Sequence, residues 1–198
     1  GTTVNYIENL FDVSGSPIVI DAINNYVNPI FPGIKRPEPI KENLEKLSER
    51  IKKESYALGL AFDLDGDRVG IVDENGDILE TYEIYLLLLY YFLEYRKQKL
   101  PIVKSLSVSN TITDLASHYH VPVIETPVGF KYLSKHLITN KIMIAGEESG
   151  GFGFQEFKDR DAIVSSVFIL NLIVESGLSI SSILDNIKKI TGDTFISR

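Results

Sequence analysis

The amino-acid sequence predicts an α/β protein made of two tandem α/β domains, with mixed, mostly parallel sheets that are flanked by helices. Short apolar runs of strand length alternate with segments whose apolar residues recur at helical spacing, which is the pattern of strand–helix units. Connectors rich in glycine and proline separate these segments. The chain has 198 residues and is 44% hydrophobic, so it can bury one large core or two small ones.

Four segments precede an acidic loop at residues 63–68. Residues 6–13 are expected to form a short helix, and the apolar run at residues 17–21 has the length of a buried strand. Residues 28–39 contain four prolines and are expected to form an irregular connector. Residues 42–54 are highly charged but carry leucine and isoleucine on one stripe, which predicts an amphipathic helix.

The acidic loop itself lies between two further predicted strands. Apolar residues lead into and out of residues 63–68, so we expect one strand to end at this loop and another to begin after it. Asn75-Gly76 then lies at the centre of a predicted hairpin turn over residues 73–77.

The second half of the chain alternates strands with helices. We expect a boundary near residues 76–82, which divides the chain into domains of residues 1–78 and 79–198. The alternation predicts mostly parallel strands, because parallel neighbours need a crossover that is usually a helix. Asp161 and Ser179 are placed to cap the last two helices. The predicted helices are residues 82–98, 112–118, 131–138, 161–175 and 179–191, and the predicted strands are residues 103–108, 121–125 and 142–145.

The composition argues against several classes of protein. Without cysteine the chain has no disulfide framework and no thiol nucleophile, which fits a cytoplasmic protein. A net charge of −7 argues against a nucleic-acid-binding surface. The most apolar run, residues 84–93, is too short to span a membrane, and no signal peptide is apparent.

The acidic loop carries three alternating carboxylates. Asp63, Asp65 and Asp67 are followed at once by Arg68, and Gly66 permits the turn. Carboxylates crowded at one loop repel one another unless a cation lies between them. A small set of oxygen ligands favours Mg²⁺, which keeps positions open for water or phosphate oxygens. The loop is therefore a candidate magnesium site.

Two other interpretations start from the same residues. A solvated turn would explain the aspartates and the glycine, although a third acid followed by arginine is unusual after a buried strand. An EF-hand would place Asp63, Asp65, Asp67 and Glu74 at positions 1, 3, 5 and 12 of its loop. Position 6 of that loop needs glycine, and here it is Arg68. The residues before the loop also have the pattern of a strand rather than a helix.

A third interpretation is a phosphatase. Phe62-Asp63-Leu64-Asp65-Gly66 resembles the nucleophile motif of haloacid-dehalogenase-type phosphatases, with Asp63 as the nucleophile and Asp65 as the acid. That family usually has Thr or Val after the glycine, where this chain has Asp67. Its later acidic motif is also missing, because Gly192-Asp193 has no suitably spaced acid after it.

Two further loops follow predicted strands, at the sheet edge where ligands bind in α/β folds. Residues 146–151 offer Glu147 and Ser149, whose oxygens can accept hydrogen bonds from sugar hydroxyls; a plain glycine-rich turn is the alternative. Lys131 follows Gly129 at a predicted helix start, where the helix dipole disfavours a cation. This position suggests an anionic ligand for Lys131, and a surface lysine is the alternative.

Together these loops resemble those of the α-D-phosphohexomutase superfamily. The order and spacing of the motifs match as well, and the resemblance covers nearly the whole chain. It implies the second and third of that family's four domains. The matching segments are Asp63-Leu64-Asp65-Gly66-Asp67-Arg68 for the metal loop, Thr126-Pro127-Val128-Gly129-Phe130-Lys131 for the active-site lysine, Gly146-Glu147-Glu148-Ser149-Gly150 for the sugar-recognition loop, Arg36-Pro37-Glu38-Pro39 with Asn43-Leu44 for the connector, and Lys158-Asp159-Arg160-Asp161-Ala162-Ile163 for the entry to the next helix.

The resemblance implies a phosphohexomutase, an isomerase that moves phosphate between C1 and C6 of a hexose. The reaction would use Mg²⁺, a phosphoserine and hexose 1,6-bisphosphate, and the small-molecule partner would be a sugar phosphate. The implied metal ligands are Asp63, Asp65 and Asp67, the implied catalytic residues are Arg68 and Lys131, and the implied substrate-binding residues are Gly129, Lys131, Glu147 and Ser149.

The resemblance also implies partners outside these residues. Neither the phosphoserine loop of the family's first domain nor the phosphate-clamping loop of its fourth is found in the 198 residues, so both domains would be partners. The second domain is short near Asn24-Asn25. Glu148 makes the sugar loop most like that of glucose-preferring members, with mannose possible and glucosamine less favoured. An inactive fragment that binds metal and sugar phosphate is the alternative to an enzyme.

Overall fold

The computed structural model describes residues 2–15, 17–139 and 141–192 of the chain. Along these residues seven α-helices alternate with six strands, which form a two-stranded sheet followed by a four-stranded sheet. The helices are α1 (Thr2–Ser14), α2 (Lys41–Lys53), α3 (Thr81–Tyr90, continued by a π-helical turn, Tyr91–Tyr95), α4 (Thr111–His118), α5 (Phe130–Thr139), α6 (Ala162–Ser176) and α7 (Ile180–Thr191); the strands are β1 (Gly59–Phe62), β2 (Val69–Val72), β3 (Ile102–Ser105), β4 (Val123–Thr126), β5 (Ile144–Gly146) and β6 (Phe152–Phe154).

The first part of the chain packs α2 against the antiparallel pair of β1 and β2. The predicted amphipathic helix is confirmed to within one residue at each end. Its apolar stripe buries Leu44 and Ile51 against Val72 of β2. The helix α1 covers the predicted residues 6–13 and begins four residues earlier. The proline-rich residues 28–39 form turns and bends, as expected.

The prediction of a strand at residues 17–21 is wrong. This segment is irregular, and no strand among the described residues pairs with it. A buried strand needs both a ladder partner and covered side chains. Val19 is 91% exposed, Ile18 and Ile20 are only partly buried, and all three line an open cavity beside β1. The apolar run therefore lies beside β1 without joining its sheet.

The four-stranded sheet has the order β4-β3-β5-β6 and is parallel except for β6. Successive residues of a strand face opposite sides of the sheet. Ile102 and Ile144 therefore join the core formed with α3, α4, α6 and α7, while Val103 and Ala145 pack with α5 on the other side. The predicted fold class, with a mixed, mostly parallel sheet flanked by helices, is confirmed. The strand β6 was not predicted from the sequence.

The last two helices begin at the residues predicted to cap them. The carboxylate of Asp161 accepts the Val164 N–H at 2.9 Å, and the hydroxyl of Ser179 accepts the Ser182 N–H at 3.4 Å. The helix predicted over residues 82–98 is shorter in the structure. Regular α-helix ends at Tyr90, and a single π-helical turn follows it.

Membrane insertion has weak support in the described part of the chain. No single helix there has both the length and the apolar composition of a membrane span, and α6 and α7 reach them only as a pair bent by 85°. Both helices contribute side chains to the protein core, among them Ile169, Leu172, Ile183 and Ile187.

The hydrophobic core continues across the predicted domain boundary. Val69 and Ile71 of β2 pack with Leu79 and with the helices of the second sheet, while Val72 packs with α2. The strand β2 is therefore buried on both faces, which fixes the acidic loop relative to the second half of the chain. The boundary near residues 76–82 remains a prediction.

Gly153 provides a test of how tightly β6 is packed. A Cβ at this position would lie 2.7 Å from Leu137 Cδ1, 2.8 Å from Phe130 Cζ and 2.9 Å from the Asp159 carbonyl oxygen. We expect Gly153→Ala to lower the free energy of unfolding by about 1–3 kcal/mol, measured by urea denaturation. The control is Glu156→Ala, an exposed position just after β6, which should change stability by less than about 0.5 kcal/mol. Equal stability of the two variants would contradict the packing argument.

Candidate functional site

The acidic loop and the glycine-rich loop meet through their backbones. The acidic loop joins β1 to β2, and the glycine-rich loop joins β5 to β6. Arg68 and Gly151 form an isolated antiparallel bridge, and the Val69 N–H donates to the Gly150 carbonyl at 3.2 Å. Gly150 has a φ of +91°, and a Cβ there would lie 3.1 Å from the Val69 carbonyl oxygen. Glycine at this position therefore permits the close approach of the two loops.

Asp63 organises the acidic loop from within. Its side chain is buried and accepts hydrogen bonds from the backbone N–H groups of Asp67 at 2.8 Å and Arg68 at 3.1 Å. Its second oxygen accepts from Arg68 Nε at 2.6 Å. The Arg68 guanidinium also lies 3.5 Å from Glu38. The predicted catalytic arginine is therefore held between two carboxylates.

The pKa of Arg68 reflects these contacts. Burial is the largest single influence and lowers the pKa of the guanidinium. The hydrogen bond and charge of Asp63, together with Glu38, outweigh it and leave the pKa above its usual value. Arg68 is consequently a permanent cation beside the acidic loop.

A second arginine joins the acidic loop to the predicted sugar-binding residues. Arg160 Nε lies 2.6 Å from Asp67 Oδ2, and Arg160 Nη1 lies 3.3 Å from Glu147 Oε1. The hydroxyl of Ser149 donates to the same Glu147 oxygen at 2.7 Å. The predicted residues Asp67, Glu147 and Ser149 therefore lie in one polar cluster. Arg160 was missed as a site residue, although the segment that contains it was among the matching motifs.

The predicted lysine lies at the start of α5, next to this cluster. The Arg160 guanidinium lies 5.4 Å from the ring centre of Phe130, the residue before Lys131. The Lys131 ammonium lies over the ring of Tyr132 at 4.9 Å, and no ion pair joins it to the acidic or glycine-rich loop within the described residues. Gly129 has a φ of +121°, a conformation that favours glycine.

The three aspartates have the donor chemistry of a magnesium site but are not arranged as one in this structure. Asp65 is exposed, while the carboxylates of Asp63 and Asp67 are turned toward arginines. Among the residues that the structure describes, no three His, Cys, Asp or Glu side chains are grouped so that they could hold a metal ion. Carboxylate oxygens at one loop fit Mg²⁺ chemically. Magnesium binding stays a prediction.

The two glutamates of the glycine-rich loop point to different partners. Glu148 accepts a hydrogen bond from Ser105, the last residue of β3, at 2.8 Å and another from Ser107, two residues further on. Burial raises the pKa of Glu148, but the Ser107 and Ser105 hydroxyls outweigh it and hold the pKa below its usual value. Glu148 therefore ties the loop to β3, while Glu147 belongs to the cluster with Arg160.

A buried lysine braces the same sheet edge and was also missed. Lys104 of β3 is fully buried, and its ammonium lies 2.8 Å from Glu125 on β4. It donates to the Val108 carbonyl at 3.1 Å and to the Asn110 side-chain oxygen at 3.3 Å. These contacts satisfy the buried charge and fix the loop that leads into α4.

Comparison with known families assigns both halves of the chain. Residues 1–76 match the family model described as phosphoglucomutase/phosphomannomutase, alpha/beta/alpha domain II. Residues 80–190 match the model described as alpha/beta/alpha domain III of the same family. The second match alone covers more than half of the chain.

Similar proteins carry mutase names but are much longer. The chain is 30% identical to a phosphoglucomutase/phosphomannomutase of Thermococcus kodakarensis over 85% of this chain and 37% of that protein. It is 31% identical to a phosphomannomutase of Methanocaldococcus jannaschii over 81% of this chain and 36% of the other. It is 28% identical to a phosphoglucosamine mutase of Bacillus velezensis, over 73% and 33%. The chain thus spans about a third of the length of these relatives.

A solved structure agrees with the sequence comparisons. A putative phosphomannomutase from Thermus thermophilus superimposes with a TM-score of 0.89 at 29% identity, over 96% of this chain and 43% of that one. The matched models, the relatives and this structure all agree with the resemblance found in the loops. The chain therefore belongs to the phosphoglucomutase/phosphomannomutase family, within the α-D-phosphohexomutase superfamily, and corresponds to domains II and III of its members.

Proposed function

We propose that this chain is the metal-binding and sugar-binding part of a phosphohexomutase, which interconverts hexose 1-phosphate and hexose 6-phosphate. The observation that carries the proposal is the junction of the two predicted loops, through the Arg68–Gly151 bridge and through Arg160 between Asp67 and Glu147. A mutase needs its phosphoryl-transfer residues and its sugar-binding residues at one place. The mutase names of the relatives support the same reaction class.

The acidic loop would serve the phosphoryl group. Asp63, Asp65 and Asp67 would hold Mg²⁺, which would neutralise charge on the transferring phosphoryl group when bound. Arg68 is fixed by Asp63 and remains charged, so it can donate hydrogen bonds to a phosphate oxygen and bias the proton transfer that accompanies phosphoryl transfer. Asp63 thereby acts as both a proposed ligand and the residue that positions Arg68.

The glycine-rich loop would serve the sugar. Glu147 can accept hydrogen bonds from sugar hydroxyls, and Ser149 already donates to it, which fixes the direction of both groups. Hydroxyl contacts of this kind can form with the sugar in either orientation, so a hexose 1,6-bisphosphate could present either phosphate to Arg68. Lys131 at the start of α5 would take part in the same proton transfer or stabilise charge on the substrate, and Gly129 beside it would contact the substrate.

The complete reaction would need partners beyond these 198 residues. The proposed phosphoserine and the phosphate-clamping loop would come from the first and fourth domains of the family. The relatives are named for glucose, mannose and glucosamine phosphates, and we favour glucose with mannose possible. A phosphatase with Asp63 as nucleophile is less favoured, because Asp67 follows Gly66 where that family usually has Thr or Val, and because the family's later acidic motif is missing.

Glu147→Gln tests the sugar-binding role. A hydrogen bond from a sugar hydroxyl to a carboxylate is stronger than one to an amide, so we expect glucose 6-phosphate to bind about tenfold more weakly in the presence of Mg²⁺. Titration calorimetry measures the affinity, and the exposed Glu156→Gln is the control that should bind as the wild type does.

The same preparation separates a mutase from a phosphatase. After incubation with ³²P-labelled glucose 6-phosphate and acid quenching, the proposal expects no label on this chain and no released phosphate. Label trapped on Asp63 together with released phosphate would establish the phosphatase instead. A wild-type chain that binds no sugar phosphate would contradict the proposed function.

A further inference from the structure

Arg160 is the residue through which the two loops are electrostatically connected. Its guanidinium contacts Asp67 of the acidic loop and Glu147 of the glycine-rich loop, and it stacks on Phe130 at the start of α5. The side chains of Arg160 and Asp67 are each 32% exposed, and that of Glu147 is 7% exposed. One cation therefore neutralises two carboxylates that the proposed function assigns to different ligands.

The backbone around Arg160 is held by β6 and by the acidic loop. Arg160 pairs with Gly153 of β6 in an isolated antiparallel bridge. The next residue, Asp161, donates its N–H to the Phe152 carbonyl at 3.0 Å, and Ala162 donates to the Gly66 carbonyl at 2.9 Å. The start of α6 is thus attached to β6 on one side and to the acidic loop on the other. The position of the guanidinium is consequently built into the fold.

The contact with Asp67 has a consequence for metal binding. A guanidinium that donates to Asp67 Oδ2 takes one of the lone pairs that this carboxylate offers to a metal, and its positive charge repels a divalent cation nearby. Either effect lowers the affinity of the acidic loop for a metal ion. The contact with Glu147 differs, because a cation there makes the carboxylate less able to attract the hydroxyl protons of a sugar.

We propose that Arg160 is a resident counter-cation of Asp67 that a divalent metal ion displaces. Metal binding is thereby coupled to the contact between Arg160 and Glu147. This inference rests on the proposed function, since it takes Asp67 as a metal ligand. When a divalent ion binds, Arg160 leaves Asp67 and keeps Glu147 and Phe130 as its contacts. A ligand that draws Arg160 away from Asp67 raises the metal affinity. Because linkage is reciprocal, the metal raises the affinity for that ligand by the same factor. Arg160 is in this sense a positioning residue for both loops.

The test is Mg²⁺ titration of the Arg160→Met variant by calorimetry, with Mn²⁺ followed by electron paramagnetic resonance as a second probe. Methionine keeps an unbranched apolar stem over Phe130 and removes the charge. We expect the metal to bind about fivefold more tightly to this variant than to the wild type. A change of that size is the upper end of what one partly exposed ion pair contributes. Arg160→Lys keeps the charge but loses the planar fork that contacts both carboxylates, so its metal affinity should lie between those of the wild type and Arg160→Met.

Arg96→Met is the matched control. Like Arg160, Arg96 forms an ion pair, here with Glu175, and lies over an aromatic ring, that of Tyr91 at 4.9 Å. Its recorded contacts include neither loop of the site, so its replacement should leave the metal affinity unchanged. A general effect of net charge would instead tighten metal binding in both variants, and that result would overturn the proposal.

The outcomes distinguish this inference from the proposed function. If the wild type binds metal and Arg160→Met binds it equally or more weakly, the inference fails and the metal loop stands. If neither chain binds metal, both fail. If Arg160→Met does not fold, the ¹⁵N signal of Arg160 Nε in the wild type decides. A shift of that signal on addition of Mg²⁺ supports displacement, and an unchanged signal while metal binds overturns it.

Discussion

We expect Asp65→Asn to lose Mg²⁺ binding almost completely, by about a hundredfold or more. Replacing a residue that only supports a metal ligand costs about ten- to a hundredfold in affinity, and Asp65 is a proposed direct ligand. Its carboxylate is exposed and takes part in none of the ion pairs recorded among the described residues. The substitution therefore removes one negative charge from the loop without disturbing how Asp63 holds Arg68 or how Arg160 holds Asp67.

Titration calorimetry with Mg²⁺ is the measurement, and Asp77→Asn is the control. Asp77 is an exposed carboxylate in the turn that follows β2, so its replacement removes the same charge close by in sequence but outside the acidic loop. We expect the control to bind Mg²⁺ within about twofold of the wild type. An Asp65→Asn variant with wild-type affinity would mean that this loop does not hold the metal.

The expected effects at Asp65 and Arg160 have opposite signs, which makes the pair more informative than either variant alone. Loss of a carboxylate weakens metal binding, and loss of a competing guanidinium strengthens it. A variant that merely loosens the loop would weaken binding in both cases. Opposite changes in the two variants would therefore indicate a charge balance at the loop rather than a general loss of structure.

The parts of the fold that could be predicted are those whose signals are local. The stripe of α2 depends on residues three and four apart, and it is buried as expected. Asp161 and Ser179 cap their helices through contacts three residues away. The glycine-rich loop follows β5 of the parallel part of the sheet, so its place at the edge where ligands bind could be expected from the α/β pattern.

The parts that could not be predicted depend on distant residues. Residues 17–21 have the composition of a buried strand, but neither β1 nor β2 pairs with them. The strand β6 has three residues, Phe152–Phe154, which is too short for a periodic pattern. It is a strand because β5 pairs with it in antiparallel register. Neither outcome could be decided from the local sequence.

The candidate site shows the same division. Asp63 and Arg68 are five residues apart, and their contact is a local feature of one turn. Arg160 is separated from Asp67 by 93 residues, so only the fold brings them together. The motif that contains Arg160 could be recognised, but nothing in that motif indicated which carboxylates the arginine would contact.

Phe154→Ala should produce the largest loss of stability among single substitutions near the site. Phe154 is fully buried in β6, with ring centres 4.9 Å from Phe168 of α6 and 5.8 Å from Phe92. Truncation removes this aromatic packing and leaves a cavity between the sheet and the helices. We expect the free energy of unfolding to fall by about 3–5 kcal/mol in urea denaturation.

Two companion variants of Phe154→Ala separate packing from other causes. Phe154→Leu keeps most of the apolar volume and should cost less than about 1.5 kcal/mol. Phe157→Ala removes a ring that is 53% exposed three residues later and should change stability by less than about 0.5 kcal/mol. If Phe154→Ala were as stable as Phe157→Ala, the aromatic cluster would not be what holds β6. Since β6 positions Gly151 beside Arg68, while Phe154 itself lies in the core, the folded fraction of Phe154→Ala should still bind Mg²⁺ as the wild type does.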